Sequence, residues 1–176
     1  MSTSEIHTGG CQCGALRFRV SGPLGTASIC HCRMCQKAFG GFFGALVAVP
    51  KGALAWTRGG APARFRSSNH VARGFCETCG TPLTYEEPDG SVALAIGAFD
   101  HPDAIPPTIQ YGVEAKLAYV DTLGDLPARE TLDDLAAAAF LETIVSRQHP
   151  DRDTNSWPPE EWAGDTWPKS GPSSND

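Results

Sequence analysis

The sequence predicts a mainly β domain with one C-terminal helix and an extended tail. Three observations carry this expectation. The 176 residues include 19 Gly and 14 Pro, which break the chain into short segments. Apolar residues alternate with polar ones in runs of four to eight, and seven cysteines fall into three tight clusters. Short apolar runs between frequent turns favour a curled sheet or small sandwich over long helices.

Taken in order, the first strand is expected over 15–20, where Leu16, Phe18 and Val20 share one face and Arg17 and Arg19 the other. That period of two marks a half-buried strand. Further strands are expected over 26–29, 42–49, 54–57, 63–67, 72–75, 83–86, 92–96 and 109–111. Turn residues separate several of them, at Ser21-Gly22-Pro23, Arg58-Gly59-Gly60, Ser67-Ser68-Asn69 and Pro88-Asp89-Gly90. A short helical turn fits Arg33 to Ala38. A longer helix is expected from Thr131 to Arg147, with Thr131 as its cap, Asp133 and Asp134 in its first turn, and a stripe of Leu132, Leu135, Ala139, Leu141 and Ile144. That stripe should pack on the sheet or on a second subunit.

The chain therefore divides into a domain over 5–127, the helical segment 128–149, and a tail over 150–176. The tail is polar and proline-rich, yet carries Trp157, Trp162 and Trp167 at a spacing of five that suits neither helix nor strand. An extended arm that docks its indoles on the body or on a second subunit is the expected arrangement, with disorder from about Ser170.

The formal charge of -6 is unevenly spread. Up to Asp125 the chain carries ten acidic and ten basic side chains, and beyond it ten acidic against four basic, so the acidity lies at the C-terminal end. Between Cys11 and Cys79 nine basic residues face the single acid Glu77. This cationic stretch would favour thiolates and attract a small anion; solvated strand faces account for it equally well. The acidic total argues against general affinity for nucleic acid. The longest apolar run, 42–49, is far below the roughly 18 residues that cross a bilayer. The first ten residues include Glu5 and lack the apolar run of a secretory signal, so a cytoplasmic location is expected.

An odd number of cysteines in a reducing compartment points to metal ligation rather than disulfides. The clusters are Cys11-Gln12-Cys13, Cys30-His31-Cys32-Arg33-Met34-Cys35 and Cys76-Glu77-Thr78-Cys79. A structural zinc takes four ligands in a tetrahedron, which a pair from each of two distant segments supplies: Cys11 and Cys13 with Cys76 and Cys79. Gly14 and Gly80, each directly after a pair, would let the backbone turn tightly beneath the sulfurs. Cys30, Cys32 and Cys35 remain, one ligand short of closure, and three protein ligands with an exchangeable fourth position is the arrangement of catalytic zinc. His31 either closes that site or lines it, the second being preferred because neighbouring residues of an extended chain point apart. His7, His70, His101 and His149 read as ordinary polar residues.

The motifs Gly9-Gly10-Cys11-Gln12-Cys13-Gly14, Cys30-His31-Cys32-Arg33-Met34-Cys35-Gln36-Lys37 and Phe75-Cys76-Glu77-Thr78-Cys79-Gly80-Thr81-Pro82-Leu83 resemble the glutathione-dependent formaldehyde-activating enzyme family, also called the CENP-V/GFA domain. The likeness runs from about Gly9 to Pro127. It implies an Mss4-like fold of bent antiparallel sheets stapled by zinc, with two Zn²⁺ per chain: one structural, and one catalytic at Cys30, Cys32 and Cys35. The reaction it implies is of the carbon-sulfur lyase type, joining glutathione and formaldehyde to S-hydroxymethylglutathione. Where many relatives carry a late tryptophan after a short basic stretch, this chain reads Lys116-Leu117-Ala118-Tyr119, and its helix and tail lie beyond the shared region.

Within that expectation Arg33, Lys37, Arg64 and Arg66 are candidate contacts for the glutathione carboxylates. The run Phe39-Gly40-Gly41-Phe42-Phe43-Gly44 is either a pocket wall or the run-in to a core strand. The expected partners are a small thiol and an aldehyde, with no membrane, and with self-association through the helix or tail as a further expectation. A zinc-stabilised binding module, for protein or nucleic acid, is the competing reading.

Overall fold

The structure is a computed structural model that describes residues 5–133 and 135–162, with the backbone alone for 135–137 and for Glu161. It is mainly β. A three-stranded antiparallel sheet has the order β1-β2-β5, from β1 (Ile6–Gly10), β2 (Arg17–Ser21) and β5 (Leu54–Arg58). The second sheet has seven strands: β3 (Ala27–Cys30), β4 (Gly44–Val49), β6 (Ala63–Arg66), β7 (Ala72–Phe75), β8 (Pro82–Glu86), β9 (Val92–Ala95) and β10 (Ile109–Tyr111). Their order is β10-β3-β4-β9-β8-β7-β6, antiparallel throughout except for the parallel pair β10 and β3.

The alternating side chains expected to face inward do so. Phe18 and Val20 of β2, Val47 of β4, Leu83 of β8 and Leu94 of β9 are fully buried in one cluster that also contains Cys11 and Cys76. Phe18 meets Phe99 and Trp56 edge-on, with ring centroids 5.1 and 5.9 Å apart, the geometry aromatic quadrupoles favour. Both pairs of the four-cysteine set thus sit at the margin of the core that joins the sheets.

Two features of this region differ from expectation. The segment Ile6–Gly10 is a strand although its side chains do not alternate, because it pairs along its length with β2 and Gly9 lies hard against the core. A Cβ on Gly9 would come within 2.3 Å of the Ala98 carbonyl oxygen. Arg17, expected on the solvent face with Arg19, is buried: the register of β2 on β5 shifts between Arg17 and Phe18, and the guanidinium meets Asp100 with both terminal nitrogens, at 2.7 and 2.6 Å. Thr8 donates to the same carboxylate at 2.5 Å. Arg19 is exposed as expected.

The short helix α1 (Arg33–Phe39) follows β3 directly and ends at Gly40, whose φ of 60° reverses the chain. Its buried Gln36 ties the turn together, donating to the carbonyls of His31 and Ala115. The run 39–44 leads into β4: Phe43 stacks edge-on against His31 and Phe42 against Tyr119.

The C-terminal helix, α2 (Leu135–Leu141), is shorter than the span 131–147 read from the sequence. Leu132, Phe140, Ile144 and Val145 are exposed rather than laid on a sheet; Asp134 lies outside the described residues. From Gln148 to Trp157 the chain crosses back over the first cysteine motif. The His149 N–H donates to the Gln12 carbonyl at 2.7 Å, and Trp157 Nε1 donates to the Cys13 carbonyl at 2.8 Å. Asp153 accepts from Arg17 and Arg19, and Arg58 holds the Thr154 carbonyl. Trp162 packs edge-on against Trp157, while Trp167 lies outside the described residues. Among the described residues no helix is long and apolar enough to cross a membrane.

Candidate metal centres and the adjoining cavity

The seven cysteines are free thiols and converge in two groups. The sulfurs of Cys11, Cys13, Cys76 and Cys79 lie within 4.8 Å of one another, and so do those of Cys30, Cys32 and Cys35. Tetrahedral zinc with bonds of about 2.3 Å to sulfur separates neighbouring sulfurs by about 3.8 Å. Cys11 and Cys13 are 3.5 Å apart, Cys13 and Cys76 are 3.8 Å apart. The four-cysteine group therefore fits such an ion in number, ligand type and spacing, and the three-cysteine group fits one with a corner open.

Local geometry explains how each sulfur is aimed. Cys11 and Cys13 occupy the turn after β1, where Gly14 has φ of 73° and donates to the Cys11 carbonyl. Cys76 and Cys79 occupy the turn after β7, closed by Gly80 donating to the Cys76 carbonyl at 2.8 Å. Backbone and hydroxyl donors face the sulfurs: Leu16 N–H to Cys11 Sγ at 3.2 Å, and Thr81 Oγ1 within 3.1 Å of Cys79 Sγ. In the second group Cys30 ends β3, Cys32 caps α1 by accepting the Cys35 N–H at 3.4 Å, and Cys35 lies in the first turn of the helix.

Each group is electrostatically divided when its thiols must share protons. Burial pushes the Cys30 thiol up to about 12, reinforced by Cys35 and Cys32. At Cys32 burial also acts upward, but the N–H groups of Cys35 and Met34 and the neighbouring thiols bring the net shift down. The four-cysteine group repeats the pattern, with Cys11 and Cys13 raised by burial and Cys79 lowered to about 6, where donation from Thr81 overcomes burial. Sulfur anions crowded this closely hold together only with protons or a cation among them.

Beside the three-cysteine group lies a cavity of about 450 Å³, whose walls include all three cysteines, Arg73, Tyr85 and Tyr111. Arg73 is buried on β7 and donates from Nη2 to Cys35 Sγ at 3.2 Å. Its Nε donates to Ser67 Oγ, and its guanidinium lies over the Tyr85 ring, 5.0 Å from the centroid.

The four basic residues expected to hold carboxylates lie elsewhere. Arg33 bonds Gln36 within α1, and Lys37 is exposed. Arg64 pairs with Glu86 at 2.8 Å, and Arg66 donates to the Asn69 carbonyl. None of the four lines the cavity; the cation in its wall is Arg73. Arg73 lies on the strand leading to Cys76, where it pairs in register with Tyr85.

His31 neither joins the sulfurs nor lines the cavity. It is fully buried, with Nε2 2.9 Å from Gln110 Oε1, because the extended chain turns it away from its cysteine neighbours. His149, read as an ordinary polar residue, is buried against Gly14 and Trp157. His70 and His101 are exposed.

This is a mainly β chain that gathers four sulfurs at one point and three beside a cavity, two groups of a kind that could each hold a metal ion. The chain matches the family described as glutathione-dependent formaldehyde-activating enzyme over residues 6–114, and it belongs to that family. The match begins with β1 and ends before Lys116, so it includes both cysteine groups and the cavity wall. A crystal structure of a Rhodobacter sphaeroides protein superimposes on 58% of this chain and 98% of its own, with 18% identity and a TM-score of 0.48.

Proposed function

We propose that the chain is a zinc-dependent enzyme of the carbon-sulfur lyase type that joins a thiol such as glutathione to a small aldehyde. The observation that supports this reading is the unequal pair of sulfur groups, four cysteines in one and three against a cavity in the other. Cys11, Cys13, Cys76 and Cys79 would hold a structural ion that clips the turn after β1 to the turn after β7. Cys30, Cys32 and Cys35 would hold a second, which when bound acts as a Lewis acid and lowers the pKa of a thiol entering the fourth position.

The protein's own groups prepare the site in three ways. Arg73 donates to Cys35 Sγ, which fixes the direction of that sulfur. The Cys35 N–H does the same for Cys32. The cavity walls hold the aldehyde beside the incoming sulfur and limit the water around it. In the overall reaction the thiol loses its proton to solvent and its sulfur forms a bond to the carbonyl carbon. The C=O π pair moves to oxygen, which takes a proton from water to give the hemithioacetal. No oxidant or reductant is needed.

The test is to mix zinc-loaded protein with glutathione and formaldehyde and follow adduct formation by exchange-sensitive NMR against the spontaneous rate. Acceleration that disappears in Cys32→Ser supports the assignment. An unchanged rate, together with no binding of glutathione, rejects it.

A further inference from the structure

The cavity is far larger than a one-carbon aldehyde. At about 450 Å³ it exceeds by an order of magnitude the roughly 30 Å³ taken by a molecule the size of water, and it falls in the range that holds ligands of many atoms. Leu46, Val71, Val92 and Ala93 form an aliphatic part of its wall beside hydroxyls such as Ser28 and Ser91, and its rim carries Met34 and Tyr111. Those two side chains are 54% and 51% exposed, so apolar surface continues from the rim toward solvent. An exposed apolar lining next to a reactive centre is stabilised by burying a matching apolar body.

Charge points the same way. Among the described residues the charged side chains in the wall are Arg73 and Glu87. Arg73 serves Cys35, Ser67 and the Tyr85 ring, which leaves its buried Nη1 to receive at most one carboxylate. Glutathione carries two carboxylates and an ammonium, and the cavity holds no pair of cations to receive them. The tripeptide is therefore suited to the open side of the three-cysteine group, with its sulfur directed at the fourth position, and the apolar part of the cavity is left for the other reactant.

Resting on the thiol and aldehyde reading above, we infer that the aldehyde this site selects has an apolar body of several carbons, received by Met34, Val71 and Tyr111. The bonds made and broken are those already given: the sulfur adds to the carbonyl carbon and the oxygen is protonated by water. Selectivity follows from burial, each added methylene improving binding about fourfold until the cavity is filled.

Two measurements test this on the zinc-loaded full chain. The first compares formaldehyde, butanal and hexanal with glutathione, each rate divided by its own spontaneous rate. The expected acceleration rises along the series, by at least tenfold from formaldehyde to hexanal. The second needs no turnover: 1-hexanol is titrated while the methionine methyl signals are followed, which is clean because Met1 and Met34 are the two methionines. The Met34 signal should shift saturably and the Met1 signal should not. Val71→Asn should cut the hexanal-to-formaldehyde ratio at least tenfold, and Tyr111→Ser, on the exposed β10, should move it in the same direction should the first variant not fold. Greater acceleration with formaldehyde and no saturable shift at Met34 overturns the inference and leaves the thiol and aldehyde reading standing. No adduct with any aldehyde overturns both.

Discussion

Arg73 and Cys35 lie 38 residues apart in the chain, yet Nη2 of the first donates to Sγ of the second at 3.2 Å. The arginine reaches the sulfur from β7, and the cysteine meets it from the first turn of α1, so the contact couples the seven-stranded sheet to the three-cysteine group. Both side chains are buried, which strengthens the interaction by excluding water.

Replacing Arg73 by Met should therefore loosen the grip of this group on its ion. Outer partners of metal ligands are worth about 10- to 100-fold in affinity. Competition against a chelator should show a loss of that size at the three-cysteine site and none at the four-cysteine site. Equal weakening of both would mean that Arg73 merely supports the fold.

The two cysteine groups should differ in what they stabilise. Cys76 is buried in the core cluster and its group joins turns more than 60 residues apart, so Cys76→Ser removes a cross-link as well as a ligand. A loss of several kcal/mol is expected, from the share of metal-binding energy that becomes folding energy. Cys32→Ser touches a group confined to one short segment and should leave the melting temperature within a few degrees of wild type. Equal melting temperatures for the two variants would contradict the division.

The buried pair of Arg17 and Asp100 gives a pH-dependent prediction. Burial acts to raise the Asp100 carboxyl, but the hydrogen bonds and charge of Arg17, with the Thr8 hydroxyl, hold it below the usual carboxylate range. A carboxyl lower in the folded than in the unfolded chain contributes fully above its unfolded value of about 3.9 and loses that contribution as pH falls through the folded value. Asp100→Asn should cost about 3 kcal/mol at neutral pH, since it leaves the buried guanidinium with only the exposed Asp153 as a counter-charge. The gap in denaturant midpoint between variant and wild type should close in acid below about pH 4. A gap that persists there would show that the carboxylate charge is not what stabilises the pair.

Trp157 offers a fourth test, because its Nε1 bonds the Cys13 carbonyl and its ring covers Gly14. Trp157→Ala should cost about 2 kcal/mol, less than a fully buried tryptophan, because the ring is only half-buried. It should also speed the loss of one zinc to a chelator, the ion at Cys11, Cys13, Cys76 and Cys79. Unchanged release from that site would mean that the 148–157 segment lies over the turn without restraining it.

What the sequence could say depended on how locally each feature is encoded. Strands β2 to β10 were legible because side chains alternate between turn residues within a few positions of one another. The grouping of the sulfurs was legible because cysteine spacing is itself a local pattern, and the turns at Gly14 and Gly80 follow from it. Strand β1 was not, since His7-Thr8-Gly9-Gly10 forms a strand only through its pairing with β2 and the fit of Gly9 against Ala98. Arg17 looked like a solvent residue because the carboxylate that buries it is 83 positions away. The same distance problem hid Arg73: nine basic residues lie between Cys11 and Cys79, and nothing in their spacing tells which one reaches Cys35. Arg33 and Lys37 lie in or beside the second cysteine motif, and Arg64 and Arg66 on the strand before β7, yet none of the four lines the cavity. The amphipathic stripe at 131–147 overstated α2: Leu132, Phe140, Ile144 and Val145 are exposed, and without a covering surface for them a longer helix is not held.

Metal content per chain tests the central claim most directly. Protein purified with zinc should carry two ions, Cys32→Ser should carry one while keeping its cooperative unfolding, and an added thiol should enter the coordination sphere of the cobalt-substituted wild type but not of that variant. A wild-type chain that is folded and free of metal, or a Cys32→Ser chain that still holds two ions, would contradict the account.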